Sequence, residues 1–170
     1  MTFKIKIMKK IFLLAAIVYS VAATAQVTKV SLQASGLTCS MCSNSINKAI
    51  KTLDFVDKID ANIKTSTFEI SFKPNSNVDF DKLKKKVEDA GFFVAVFTAM
   101  IQFNNVKVTS NDVVNVGDKT LRFVNVKEQI LNGAKAVRIV DKGFVSSKEF
   151  KKNSVASANG KSGKIYHVTI

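Results

Sequence analysis

The hydrophobic and polar positions of residues 27–98 follow two periods, one typical of strands and one typical of helices. Apolar side chains at alternate positions predict strands, and apolar side chains three or four positions apart predict helices. The predicted strands cover 27–34, 56–61, 68–72 and 92–97, and the predicted helices cover 46–53 and 79–91. Asp79 is a suitable N-cap for the second helix, and Gly91 is a suitable left-handed residue after its last turn. The order β-α-β-β-α-β predicts an α+β fold of the ferredoxin-like sandwich type.

Residues 99–170 show short alternating runs with turn signals between them, and only one helix signal. The runs cover 100–103, 106–108, 113–116, 121–126, 136–140 and 165–170. Ser146 and Glu149 have the spacing of a capping box, which predicts a short helix through Phe150. Several strands with one helix are typical of a small barrel, so we expect a β-rich second domain with an OB-like barrel.

The first 25 residues have the pattern of a secretory signal peptide. Four lysines and no acidic residue precede the apolar run 11–23, and the run ends in the small residues Ala23-Thr24-Ala25. This pattern predicts cleavage between Ala25 and Gln26 and a periplasmic or secreted protein. The apolar run is shorter than the ~20 residues of a spanning helix, so we expect no transmembrane anchor after cleavage. The predicted organisation is a signal peptide (1–25), a first domain (26–98) and a second domain (99–170).

Charge is distributed unevenly between the two predicted domains. The whole chain has 26 Lys and Arg residues against 13 Asp and Glu residues, a formal charge of +13. Residues 26–98 carry a net charge of +2, and residues 99–170 carry +7. A basic barrel would fit nucleic acid, but an exported protein meets little of it. We therefore expect no nucleic-acid partner, and a basic surface that is attracted to anionic polymers of the cell envelope.

The composition leaves little catalytic chemistry to this chain. One His and two Cys exclude a structural zinc site of four cysteines and any site that needs several imidazoles. We find no Ser/His/Asp set, no paired acids in a predicted cleft and no phosphate-binding glycine loop. The sequence therefore predicts a protein that is not an enzyme, and it directs attention to Cys39 and Cys42.

The two cysteines lie in a loop that resembles a known metal-binding motif. The segment Gly36-Leu37-Thr38-Cys39-Ser40-Met41-Cys42, between the first strand and the first helix, resembles the GMxCxxC loop of heavy-metal-associated domains. These domains occur in copper chaperones and in metal-pumping ATPases. Ala90-Gly91-Phe92 also matches the place where that family has a glycine and an aromatic residue near the metal loop. The resemblance covers residues ~27–98, and it departs from the family at Leu37, where the family usually has Met.

The resemblance implies that Cys39 and Cys42 together bind one metal ion, and chemistry favours Cu(I). Soft thiolates select Cu(I) and similar ions over hard cations. The first turn of a helix offers unpaired N–H groups and the positive end of the helix dipole, which stabilise thiolates. Two ligands leave the ion open to a third sulfur. The family resemblance thus implies delivery or sequestration of the metal, with a metal donor or acceptor protein that has a thiol site as the partner.

Other functions of the same residues remain open. Cys39 and Cys42 could form a structural disulfide in a domain that has lost metal binding and serves a structural or partner-binding role. They could also act in thiol–disulfide exchange, although the sequence lacks a proline late in the fold. Met41 could add a thioether ligand, but we expect it to be exposed or packed. The lysines at 82 and 84–86 are a solvated helix face or a docking surface for an acidic partner. His167 is expected to be a surface or structural residue.

Overall fold

The computed structural model describes residues 26–37, 40–153 and 165–170. The predicted signal peptide and Cys39 lie outside the described residues. The described elements in chain order are β1 (Gln26–Ser35), α1 (Ser40–Lys51), β2 (Val56–Asn62), β3 (Thr67–Phe72), α2 (Phe80–Asp89), β4 (Phe93–Val108), β5 (Val113–Val116), β6 (Lys119–Phe123), β7 (Gln129–Ile139), α3 (Ser147–Asn153) and β8 (Ile165–Thr169). None of the helices in this part of the chain is long and apolar enough to span a membrane.

The first half has the predicted β-α-β-β-α-β order. Its four strands pair in the spatial order β2-β3-β1-β4, and each of these pairs is antiparallel. Helices α1 and α2 contact each other, and their apolar side chains belong to the same core as the strands. The predicted ends of α2 are confirmed: the Asp79 Oδ1 accepts hydrogen bonds from the Asp81 and Lys82 amides, and Gly91 has a φ of +88°.

Strand β4 is longer than the sequence predicts. The three runs predicted at 92–97, 100–103 and 106–108 form one strand of 16 residues, Phe93–Val108. Its pairing with β7 is irregular between Phe103 and Val106, and Asn105 has a φ of +49°. This bulge interrupts the alternation of apolar positions, so the sequence pattern shows separate runs. The predicted domain boundary between residues 98 and 99 falls inside this strand.

The second half continues the same sheet. Beyond β4 the order is β7-β8-β6-β5, with β8 antiparallel to β7 and parallel to β6. The expected separate OB-like barrel is not confirmed, because no pairing among the described strands joins β5 to β4 and the sheet stays open. The predicted helix start at Ser146 is confirmed, because the Glu149 amide donates a hydrogen bond to Ser146 Oγ at 3.3 Å. The Glu149 carboxylate pairs with Arg138 at 2.6 Å, so the second bond of a capping box is replaced by an ion pair.

Four aromatic side chains join the two halves into one core. We call Phe80, Phe97, Phe144 and Tyr166 the aromatic cluster. The Phe80 and Phe97 rings come from the first half, and their centroids are 5.2 Å apart. Tyr166 lies 5.3 Å from Phe80, and Phe144 lies 5.2 Å from Phe97, both with edge-to-face geometry. The Tyr166 hydroxyl also donates a hydrogen bond to Asp81 Oδ2 at 2.7 Å. The second half therefore covers part of α2 and the face of β4 that lies below it.

Candidate metal centre

Cys42 lies in the first turn of α1, as its third residue, and is half-buried. Its neighbour Ser43 is buried, while Met41 on the other side is 80% exposed. Further along the helix, Ile46 and Ile50 are fully buried and fix α1 against the sheet. The orientation of Cys42 is therefore set by the core packing of its own helix. The distance between the two thiols is not described, because Cys39 lies outside the described residues.

The described part of the cysteine loop begins with a tight turn at the end of β1. Gly36 has a φ of +82°, a conformation that favours glycine. A Cβ at this position would lie 3.9 Å from the Phe92 ring. Just before the turn, Ser35 Oγ donates a hydrogen bond to the Phe93 carbonyl at 3.3 Å. These contacts hold the start of the loop against the start of β4.

Leu37 and Phe92 connect the described part of the loop to the core. Both are half-buried and pack against the hydrophobic core. Leu37, which stands where the family usually has Met, therefore has a packing role. Phe92 follows Gly91, and its amide donates a hydrogen bond to the Val87 carbonyl at 3.1 Å. Thus the end of α2 positions Phe92 beside the loop.

The electrostatic environment of Cys42 favours a negatively charged sulfur. The first turn of α1 contains no acidic residue, and Lys48 and Lys51 lie in its last turn. The amides of a first helical turn have no partners within the helix and carry the positive end of its dipole. A thiolate, or a complex of two thiolates with a monovalent ion, carries negative charge and is stabilised there.

His167 lies away from this loop. Its strand, β8, is separated from β1 by β4 and β7, so the two strand axes are about 14 Å apart. Tyr166 contacts α2, and the alternation of a strand turns His167 to the opposite face. His167 is 4% exposed, its Nδ1 is 2.8 Å from Asp141 Oδ1, and its amide donates to Asp141 Oδ2. His167 was expected to be either a surface or a structural residue, and its burial and its bonds to Asp141 indicate the structural role.

Two of the four lysines of α2 are engaged within the molecule. Lys84 Nζ lies 3.6 Å from Asp81 and 5.1 Å from the centroid of the Phe144 ring. Lys85 forms an ion pair with Asp89 at 3.1 Å. The run is therefore partly an interface with the second half, which the sequence did not predict. The partner of Lys84 on that side is 60 residues further along the chain, so no local pattern could reveal it.

The described residues contain no group of three or more His, Cys, Asp or Glu side chains that could hold a metal ion. Cys42 is the one cysteine in this part of the chain. The sequence motif predicts that Cys39 and Cys42 are the two ligands.

The first half of the chain is similar to known proteins. The family model of the heavy-metal-associated domain matches residues 31–93. A mercuric transport protein periplasmic component from Pseudomonas fluorescens is 38% identical over 79 residues, which cover 46% of this chain and 84% of that protein. A probable copper-exporting P-type ATPase from Archaeoglobus fulgidus is 34% identical over 64 residues, which cover 38% of this chain. The chain spans only 8% of the length of that ATPase.

Solved structures with similar sequences cover the same part of the chain. Oxidised MerP from Ralstonia metallidurans is 31% identical, and the match covers 42% of this chain and 94% of that one, with a TM-score of 0.37. The yeast copper transporter domain Ccc2A is 33% identical, and the match covers 39% of this chain and 90% of that one, with a TM-score of 0.35.

The first half is a small α+β domain of a metal-binding class. Its element order, its cysteine loop and its relatives all indicate this class. The chain belongs to the heavy-metal-associated domain family through residues 31–93. The continuation of the sheet by β5–β8 lies outside the region that the family model matches.

Proposed function

We propose that this protein binds one Cu(I) ion through Cys39 and Cys42, for delivery to a partner or for sequestration in the cell envelope. The observation that carries the proposal is the position of Cys42 in the first turn of α1, within a GLTCSMC loop of a heavy-metal-associated domain. Soft thiolates favour Cu(I), and the helix terminus stabilises the negative charge of the complex. Relatives that are named copper-exporting or copper-transporting ATPases support this choice of metal.

Hg(II) is a second candidate for the same site. Relatives named mercuric transport protein periplasmic component match over 84% to 93% of their own length. Two thiolates also suit this soft ion. The site chemistry is shared, so only a competition between the two metals separates them.

Export of the protein is part of the proposal. The pattern of residues 1–25 predicts a signal peptide that is cleaved between Ala25 and Gln26. The word periplasmic in the names of the mercuric relatives supports the same compartment. Ligand exchange with a thiol-bearing donor or acceptor protein would then move the ion, because two ligands leave it open to a third sulfur.

Elemental analysis of the reduced chain from Gln26 tests the metal site. We expect one Cu(I) per chain to survive desalting, and none in the Cys39→Ser/Cys42→Ser variant. Zn(II), which prefers four ligands, should be lost from both. Copper retained equally by both variants, or by neither, would contradict the proposal.

A thiol–disulfide exchange assay on the same sample tests the rival function. Rapid reduction of a model disulfide, together with no metal retention, would favour exchange. Inactivity in both assays would favour the structural or partner-binding role. The proposal expects metal retention with exchange no faster than that of a free dithiol.

A further inference from the structure

A groove lies between the two halves, at the end of the sheet that carries the cysteine loop. Its volume is about 550 Å³. On the side of the first half it begins at Ser35, the last residue of β1, and at Phe93 and Val94. On the side of the second half it is lined by residues between Lys142 and Lys151. The groove is thus a product of the continuous sheet and cannot exist in the first half alone.

The apolar walls of the groove are fixed by the core. Val94 and Val145 line it and are almost completely buried, and Phe93 and Phe150 add aromatic surface. A volume between about 300 and 1000 Å³ with preformed apolar walls is typical of small-molecule sites. Because the walls are already ordered, a ligand would lose little free energy in organising them.

The segment that forms the second wall is held in place by its neighbours. Phe144 lies in the aromatic cluster, between the Phe97 and Tyr166 rings. Gly143 has a φ of +86°, and a Cβ there would lie 3.2 Å from Lys84 Cδ. The backbone of this segment therefore passes directly over α2, and the side chains on either side of Phe144 are directed by that contact.

The charges at the groove favour an anion. Among the described residues that line it, Lys142 and Lys151 are basic and Glu88 is acidic. The surrounding half of the chain carries a net charge of +7. An occupant with an apolar body and one negative group would match both the walls and the charges.

We propose that this groove binds a small organic carboxylate with an apolar body. The ligand lies beside the cysteine loop, because Ser35 directly precedes Gly36. This site goes beyond the proposed function: it uses neither Cys39 nor Cys42, and it is formed in part by residues outside the family module.

Octanoate is a suitable probe, with octanamide and octylammonium as matched ligands of the same chain length. Titrations of the chain from Gln26 by two-dimensional NMR would follow backbone amides. We expect octanoate to shift the amides of Phe93, Val145 and Phe150, and to bind at least about fivefold more tightly than octylammonium. Equal binding of all three ligands, amide shifts elsewhere, or no binding of octanoate would overturn the proposal.

Two pairs of variants assign the binding to this groove. Lys142→Gln should weaken octanoate binding about two- to fivefold, while Lys148→Gln, the same change at an exposed α3 position outside the lining, should not. Phe93→Ala should also weaken it, while Ile130→Ala on β7 should not; these side chains are 70% and 66% exposed, so neither change removes core packing. Equal effects within either pair would contradict the assignment.

A further variant separates this site from the metal site. The Cys39→Ser/Cys42→Ser chain should bind octanoate as the unchanged protein does. Loss of octanoate binding in this variant would contradict an independent groove, whereas failure of metal binding leaves the groove unaffected.

Discussion

Cys42 and its two neighbours in the first turn of α1 differ in their exposure to solvent. Met41 is exposed, Cys42 is half-buried and Ser43 is buried. The exposed position of Met41 agrees with the expectation that it is exposed or packed. The proposed metal binding at this turn would therefore use the Cys42 side chain and the amides around it.

Replacement of Cys42 by Ser should remove a metal ligand with little effect on the fold. Loss of groups that only orient a ligand commonly costs 10- to 100-fold in metal affinity, so loss of the ligand itself should cost at least about 100-fold. A competition titration with Cu(I) measures this change. Met41→Leu is the matched control, and it should leave the affinity unchanged; a comparable loss in both variants would assign a thioether ligand to Met41.

Tyr166 makes the stability of the protein sensitive to alkaline pH. Burial raises the pKa of its phenol, and the negative charges of Asp79, Asp118 and Asp141 raise it further. The folded state therefore holds the proton at a pH where the unfolded chain has lost it. The stability that Tyr166 contributes should be fully present below about pH 10, the ordinary pKa of tyrosine, and should fall as the pH rises above that value.

Urea unfolding at pH 7 and between pH 10 and 11 checks this prediction. Tyr166→Phe should lose about 1 kcal/mol at pH 7, because it removes the hydrogen bond to Asp81. The same variant should lose less stability than the unchanged protein between pH 7 and 11. Parallel pH profiles for the two proteins would contradict a buried, neutral Tyr166.

Alternation along β8 predicts that Tyr166 and His167 face opposite sides, and the two side chains have different partners, Asp81 for Tyr166 and Asp141 for His167. Their partners could not be predicted, since Asp81 is 85 residues from Tyr166 and Asp141 is 26 residues from His167. Local periodicity determines the face of a residue, but the topology of the sheet determines its neighbours. For the same reason, the groove beside Phe93 could not be predicted from the sequence.

At the scale of elements, the first half follows local patterns closely. The β-α-β-β-α-β order is predictable because each element has its own local periodicity, and the Asp79 cap and the Gly91 terminus are predictable because each depends on residues within one turn. The second half is less predictable. The bulge at Asn105 divides β4 into apparent fragments, and the parallel pairing of β6 with β8 joins strands that lie more than 40 residues apart.

The segment between β7 and α3 depends on glycine at position 143. Gly143→Ala should cost about 1–2 kcal/mol for its left-handed conformation, with an added cost from the close approach to Lys84. Gly117→Ala is a matched control: its φ is +59°, but no atom lies within 4 Å of the added Cβ. Thermal or urea unfolding should show the larger loss for Gly143→Ala. Equal losses would contradict the packing of this segment on α2.

At the scale of the whole molecule, the sheet and the aromatic cluster combine the two halves. Phe80 and Phe97 of the first half contact Phe144 and Tyr166 of the second. The sequence predicts residues 26–98 and 99–170 as separate domains, because the family resemblance ends near residue 98 and the charge and the pattern of alternating runs change beyond it. Those features describe the surface and the local periodicity, and neither can detect that β4 continues through the boundary.

Removal of the Phe144 ring tests this shared core. Phe144→Ala should destabilise the protein by about 3–5 kcal/mol, the usual cost of a buried aromatic ring. Amide hydrogen exchange should increase in β4 and α2 of the first half as well as in β7. An increase confined to the second half would indicate two independently folding units.

Binding of Cu(I) by the cysteine loop is best tested by a competition titration. The reduced chain from Gln26 is titrated against a colorimetric Cu(I) chelator, beside the Cys39→Ser/Cys42→Ser variant. We expect the unchanged chain to withdraw one Cu(I) per molecule from the chelator and the variant to withdraw none. If the two proteins compete equally poorly, the cysteines have another role and the proposal is wrong.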